Sequence, residues 1–283
     1  MSNNTNNVNK LIKKLEEQKE LYERFINCMK EYKNVDKGAG TIDLPKDLIT
    51  LYYRVMNNVH FDFLKRAFVK RYIENESEVE TAHLDWEKKG LRKMYKYIHT
   101  YDTSKMDIYT IMELHEQLYA YAPNKEFGGH FRNIDVYLPG SGTNLSEWRS
   151  IRYEILSLKP YVKDLINTGK TLNGTNDFST LLKYIEECII LNCSLIRIHP
   201  FFDGNGRCIR GFTNMLFELA NIPPIYIQEN EKLEYREALR KSDIGNYEDI
   251  IKFYYYKICD SILELTNFDR KNTNKEYMKN YKL

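Results

Sequence analysis

Proline is scarce, at seven in 283 residues. Each proline removes a backbone donor and obstructs the preceding helical turn, so long helices are permitted along nearly the whole chain. The five cysteines, Cys28, Cys188, Cys193, Cys208 and Cys259, are odd in number and scattered. That is a poor disulfide framework and fits a reducing compartment. Cys188 and Cys193 have no nearby histidine pair, which argues against a zinc site. No apolar run approaches the roughly 20 residues that a membrane helix needs. The longest, Cys188 to Ile196, is short and broken by Asn192 and Ser194. Neither sign of charge dominates: the net charge is +2, which gives no general case for binding nucleic acid or a membrane. The polar start, Met1 to Asn7, lacks the apolar region of a signal peptide. The chain is therefore expected to be cytoplasmic, in its host or in a cytoplasm to which it is delivered. It has no internal repeat.

What is present is an ordinary globular balance, 42% hydrophobic and 29% charged, with apolar residues at helical spacing. Val8, Leu11, Ile12, Leu15, Tyr22, Phe25, Ile26 and Met29 form one such stripe. Further helices are predicted over about 46–75, 78–99, 107–119, 146–168, 179–197, 205–220, 230–242 and 247–266. Asp177 and Ser179 are placed to cap the helix that begins near 179. The reading divides the chain into a helical extension over 1–40 with a disordered start, a helical segment over 41–104, a core over 105–266 and a loose tail over 267–283. The remaining histidines, His60, His83, His99, His115 and His130, show no ligand spacing. His115 reads as a packed core residue and His130 as solvent-facing.

One stretch concentrates chemistry: His199-Pro200-Phe201-Phe202-Asp203-Gly204-Asn205-Gly206-Arg207-Cys208-Ile209-Arg210. Phe212, Met215, Leu216 and Leu219 then continue at helical spacing, so a loop opens a helix here. The N-terminus of a helix offers unsatisfied N–H groups and a positive dipole end, which together suit an anion. Gly204 and Gly206 let a phosphate approach the backbone. Arg207 and Arg210 are three apart and share a helical face, and guanidinium forks suit phosphate oxygens. Asp203 is placed to hold a divalent cation that bridges phosphates. His199 is placed to take a proton from an attacking hydroxyl. Phe201 reads as core beneath the loop.

A second stretch departs from helical character. Residues 128–142 alternate Ile134, Val136 and Leu138 between glycines, which predicts a short strand or hairpin; a surface loop is the competing reading.

The loop resembles the motif of the Fic family, His-Pro-Phe-x-Asp/Glu-Gly-Asn-Gly-Arg-x-x-Arg, at every specified position. Gly129 to Arg132 resembles that family's Gly-x-Phe/Tyr-Arg element, and Leu114-His115 its Leu-His pair. Asn214 matches an asparagine of the following helix. Tyr235 to Leu239 and Asp243 to Tyr247 resemble two further elements, so the likeness runs over roughly 105–260. It implies an all-α fold, a Fic-type helical bundle with a short β-hairpin flap over the active site. It implies transfer of AMP from ATP to a Ser, Thr or Tyr hydroxyl of a target protein or of the chain itself, with loss of pyrophosphate. His199 would be the general base and Asp203 the ligand of Mg²⁺ (or Mn²⁺). Gly204, Asn205 and Gly206 would hold phosphate oxygens through backbone N–H groups and the Asn205 side-chain amide, Arg207 the β-phosphate and Arg210 the γ-phosphate. Tyr235 would serve the adenine, against the alternative of a purely structural tyrosine. The flap residues Asn133, Ile134, Asp135, Val136, Tyr137 and Leu138 would bind the target as an extended segment by strand addition. Besides ATP and the target, a homodimer partner is left open.

Many Fic proteins are restrained by a helix carrying Ser/Thr-x-x-x-Glu-Gly/Asn, whose glutamate pairs with the second motif arginine. No strict match exists in this sequence. Lys70-Arg71-Tyr72-Ile73-Glu74-Asn75 comes nearest, so Glu74 is expected to pair with Arg210, against the alternative of a solvated helix end. Three other readings of the chain stand beside AMP transfer. They are removal of AMP, transfer of another phosphate-linked group such as UMP or phosphocholine, and a non-catalytic regulator that binds an extended peptide.

Overall fold

A computed structural model describes residues 72–79, 84–137, 143–173 and 177–261. The chain divides into two compact units, Met1–Ala67 with Cys259–Leu283, and Phe68–Ile258. Nearly all of the first, including the stripe from Val8 to Met29, lies outside the described residues.

The second unit is built from α1 (72–79), α2 (Asp85–Thr100), α3 (Thr110–Tyr119), α4 (Ile151–Leu172), α5 (Phe178–Ile198), α6 (Asn205–Leu219), α7 (Lys232–Ser242) and α8 (248–258). Short 3₁₀ turns lie at Thr103–Lys105, Lys125–Phe127 and Glu229–Glu231. Local chemistry sets the helix starts. Asp177 caps α5 through its Oδ1, which accepts from the Thr180 N–H at 3.1 Å. Glu87 closes the first turn of α2 by accepting from the Leu84 N–H at 3.1 Å, and Asp85 adds a second carboxylate at the positive dipole end.

α6 lies at the centre and packs against α2, α3, α4 and α5. All its residues but Gly206 and Glu218 are buried. Its apolar residues Ile209, Phe212 and Leu216 are fully buried, as are Leu91 and Met94 of α2 and Leu114 and Leu118 of α3. A helix buried all round is dictated by its position in the core rather than by amphipathicity. α2 and α3 approach closely at Gly90, where a Cβ would stand 1.9 Å from the Leu118 carbonyl oxygen. Cys188, Cys193 and Cys208 are free and buried, and burial pushes all three thiols up.

The fold is helical, as expected, but the hairpin is not seen. Residues 128–137 carry no strand, and 138–142 lie outside the described residues. Ile134 is half exposed and Tyr137 is 87% exposed, so this stretch has no sheet face to bury. No described helix is long and apolar enough to cross a membrane.

Candidate functional site

α5 and α6 meet at the loop that carries the motif. His199 ends α5 in the left-handed region, φ 51° and ψ 61°, with its N–H bonded to the Leu195 carbonyl at 3.0 Å. A non-glycine residue there is uncommon and strained. Its Nδ1 lies 3.3 Å from the Ile196 carbonyl oxygen. Donation along that contact would leave Nε2 as the unprotonated acceptor, which is the form a general base requires. Pro200 and Phe201 then turn the chain inward. Phe201 is fully buried and stacks on His115, with ring centroids 4.0 Å apart and planes 3° from parallel.

Gly204 caps α6 at φ 78° and ψ 5°, where a Cβ would come within 2.9 Å of Leu118 Cδ2. Only glycine meets both conditions. The amide of Asn205 was expected to reach phosphate oxygens, but its side chain is committed elsewhere. Oδ1 accepts from the Phe201 N–H and Nδ2 donates to the Phe201 carbonyl, each at 2.8 Å. Asn205 therefore closes the loop on itself. What it presents toward an anion is its main chain at the start of α6, with Gly206 next in that first turn.

Asp203 is the exposed carboxylate of the loop, with 58% of its side chain accessible. Its Oδ2 accepts from Tyr119 Oη and from Arg207 Nη2, each at 3.3 Å. Among the described residues no group of three His, Cys, Asp or Glu side chains could hold a metal alone. One exposed carboxylate fits Mg²⁺, which keeps waters and phosphate oxygens as most of its ligands.

A model of the Fic/DOC family matches residues 105–217. Residues 105–217 are a Fic/DOC-family domain. The chain is 26% identical over 229 residues to "Protein adenylyltransferase Fic" of Culex quinquefasciatus, covering 77% of this chain and 41% of that protein. It is 27% identical over 171 residues to the protein of the same name from Drosophila willistoni, covering 58% of this chain and 30% of that one. The chain thus spans less than half the length of these relatives. Among solved structures, Fic-1 (residues 134–508) of Caenorhabditis elegans superposes with a TM-score of 0.54 at 17% identity, over 90% of this chain and 73% of that one. A Fic domain-containing signaling protein from Bacteroides thetaiotaomicron gives 0.62 at 15% identity, over 78% and 95%. These two likenesses carry the fold alone.

Arg207 and Arg210 of the Fic domain share a face of α6, and each meets carboxylates. Arg207 Nη1 lies 3.4 Å from Glu87 Oε1 on α2, while Nη2 reaches Asp203. Arg210 is held by Glu76 of α1. Its Nε lies 3.0 and 3.1 Å from the two carboxylate oxygens, and its Nη2 lies 2.7 Å from Oε2. Both side chains are at most 2% exposed. The glutamate on Arg210 is therefore Glu76, and the expectation for Glu74 is corrected: Glu74 is exposed. Residues two apart on a helix point about 200° apart, so one helix cannot present both. Tyr72, Glu76 and Val79, spaced i, i+4 and i+7, form the buried face of α1.

Tyrosines enclose this pair. Asn214 Nδ2 donates to Tyr72 Oη at 2.8 Å and to the Ile225 carbonyl at 2.9 Å. The Tyr72 and Tyr95 rings meet edge-on at 4.1 Å. Tyr235, expected to serve an adenine, is buried, with its ring 5.9 Å from the Arg210 guanidinium carbon. Burial pushes its phenol up to about 12. Desolvation also raises Tyr72, Tyr95 and Tyr254 well above the ordinary value. In this arrangement Tyr235 backs the arginine.

Two residues tie the expected flap segment to the loop. His115 accepts from the Gly129 N–H through Nδ1 at 3.0 Å, and its Nε2 lies 3.0 Å from the Asp203 carbonyl oxygen. Burial holds its pKa down to about 4, so it is the neutral Nε2–H tautomer. Arg132, whose side chain is wholly buried, donates through Nε to the His199 carbonyl at 2.8 Å and through Nη1 to the Ile134 carbonyl at 2.8 Å. It also bonds the Ser146 carbonyl. Its backbone N–H reaches the Pro200 carbonyl at 2.9 Å. One guanidinium thus fastens both ends of the 132–146 segment to the backbone of His199. Asn133, Ile134, Asp135 and Tyr137 are exposed and Val136 is half-buried, while Leu138 lies outside the described residues. Asp135 Oδ1 accepts from the Trp148 N–H at 2.9 Å, and His130 is solvent-facing. Arg132, Glu87 and Tyr119 had no role in the sequence reading. The Gly-x-Phe-Arg spacing was the only signal for the first, and none marked the other two.

Proposed function

We propose that the chain transfers AMP from ATP to a protein hydroxyl, and that Glu76 restrains it. The observation that carries this reading is the buried Glu76–Arg210 pair, since a carboxylate occupies the arginine that a triphosphate of defined register would need. A binding module for an extended peptide has no use for such a restraint.

His199 Nε2 takes the proton from the target hydroxyl as its oxygen bonds to the α-phosphorus. The bond from that phosphorus to the bridging oxygen breaks, and pyrophosphate leaves. The main-chain N–H groups at the start of α6 hold phosphate oxygens, Arg207 the β-phosphate, and Arg210 the γ-phosphate once Glu76 has withdrawn. Asp203 would hold Mg²⁺, which supplies charge neutralisation of the phosphates. The remaining work is positioning. The exposed 133–137 segment, anchored by Arg132 beside His199, would take the target as an added strand.

Glu76→Gly incubated with ATP and Mg²⁺ should gain one or more AMP units by intact mass, and Glu76→Gly/His199→Ala should gain none. An unmodified Glu76→Gly protein that also fails to modify any added protein would overturn the reading.

A further inference from the structure

Arg207 sits between two carboxylates of different kinds. Asp203 belongs to the loop and is largely exposed, whereas Glu87 belongs to α2 and is 13% exposed. Both oxygens of Glu87 are engaged: Oε2 accepts from the Leu84 N–H at the start of α2, and Oε1 from Arg207. α2 is a poor element to move. Its Leu91, Met94 and Ile98 are buried in the core, and Gly90 abuts the α3 backbone.

We propose that Glu87 is a positioning residue for phosphate recognition. It holds Arg207 Nη1 throughout the cycle, while Nη2 exchanges Asp203 for a phosphate oxygen. The logic is one of exchange. Asp203 faces solvent and is the carboxylate that a divalent cation would take. Once it is taken, a nearly buried guanidinium with no fixed carboxylate beside it would be costly. Glu87 supplies that compensation and fixes the plane of the fork, so the donor that Asp203 gives up points at the diphosphate. The inference rests on the reading of Arg207 as the β-phosphate ligand. It adds a residue from outside the family domain at 105–217.

The test compares AMP with ADP, which differ by the phosphate at issue, on the full chain with Mg²⁺, by calorimetry. Neither ligand needs Arg210, so Glu76 does not enter. Glu87→Gln is the informative variant. Glutamine can still cap Leu84, while the negative charge facing Arg207 is lost. ADP affinity should fall roughly ten-fold, the size of one charge-assisted hydrogen bond, with AMP affinity unchanged. Glu87→Ala should lose more ADP affinity than Glu87→Gln. If wild type binds AMP and ADP equally, Arg207 is not a β-phosphate ligand, and the underlying reading falls together with this one. If wild type prefers ADP and Glu87→Gln keeps that preference, Glu87 plays no part. If Glu87→Gln binds ADP more tightly, Glu87 competes with phosphate and the positioning role is overturned. An equal loss of AMP and ADP would reduce Glu87 to a structural residue.

Discussion

Replacing Glu76 tests the restraint most directly. Its carboxylate makes three contacts of 2.7–3.1 Å with Arg210, and neither side chain meets solvent. Removing one partner of a buried pair leaves the other uncompensated and costs roughly 3–5 kcal/mol of stability. The same interaction opposes nucleotide entry. If opening it costs about 3–4 kcal/mol, only about one molecule in several hundred is competent at a given moment, since 1.4 kcal/mol is a factor of ten. Glu76→Gly should therefore raise the rate of AMP incorporation on the order of 10²–10³-fold and lower the melting temperature. MgATP should restore part of that loss by binding the native state. Glu76→Gln, which keeps the shape and loses the charge, should fall between wild type and glycine. Glu74→Gly is the control and should behave as wild type, because Glu74 is exposed. Initial rates at MgATP well below saturation of wild type, read by intact mass, decide the matter, because saturating nucleotide would itself displace Glu76. A gain below about tenfold for Glu76→Gly, or an equal gain for Glu74→Gly, refutes the argument from the pair.

Gly204→Ala should lose about 1–3 kcal/mol of stability in urea, because φ 78° is strained for alanine and its Cβ would press on Leu118. It should also bind nucleotide more weakly, and wild-type stability and affinity together would remove Gly204 from the site. The tyrosines around Arg210 predict alkaline sensitivity. The Tyr235 phenol titrates at about 12 in the folded chain and near 10 unfolded. The unfolded state therefore holds fewer protons between those values, and stability falls as pH rises through that window. The slope from this group is at most about 1.4 kcal/mol per pH unit. Denaturation followed from pH 9 to 11 should be less steep for Tyr235→Phe, and identical slopes would show that the phenol is not protected by the fold.

The helical core was legible because its signals are local. The apolar spacing that predicted a helix over 205–220 matches Asn205–Leu219, and Asp177 capped α5 as its position implied. The motif loop was legible because its residue types are spaced by chemistry. Two readings failed for reasons of direction. Asn205 was read as a phosphate ligand by its side chain, but a loop this tight needs that amide to bridge the Phe201 backbone. Glu74 was chosen by the letters Ile-Glu-Asn rather than by phase. The apolar positions Tyr72 and Val79 mark the buried face of α1, and Glu76 is the glutamate between them on that face. Glu87 was invisible for a different reason. It is one acidic residue among many in a polar helix start, and only the tertiary approach of α2 to α6 gives it meaning.

The two arginines stand one helical turn apart, yet their glutamates come from helices with unequal anchorage. α2 is seated by Leu91, Met94 and Ile98 and by the close approach at Gly90. Within the described part of α1, the buried residues are Tyr72, Glu76, Ser77 and Val79. Two of these four place polar groups against α6: Tyr72 at Asn214 and Glu76 at Arg210. Hydrogen-bonded polar contacts contribute little net stability when water or a ligand can replace them, whereas burying aliphatic side chains has no such substitute. A triphosphate offers Arg210 the charge that Glu76 supplies, so α1 can be displaced at small net cost. It offers no substitute for the core contacts of α2. Nucleotide entry is therefore expected at the expense of Glu76, with Glu87 still in place on Arg207.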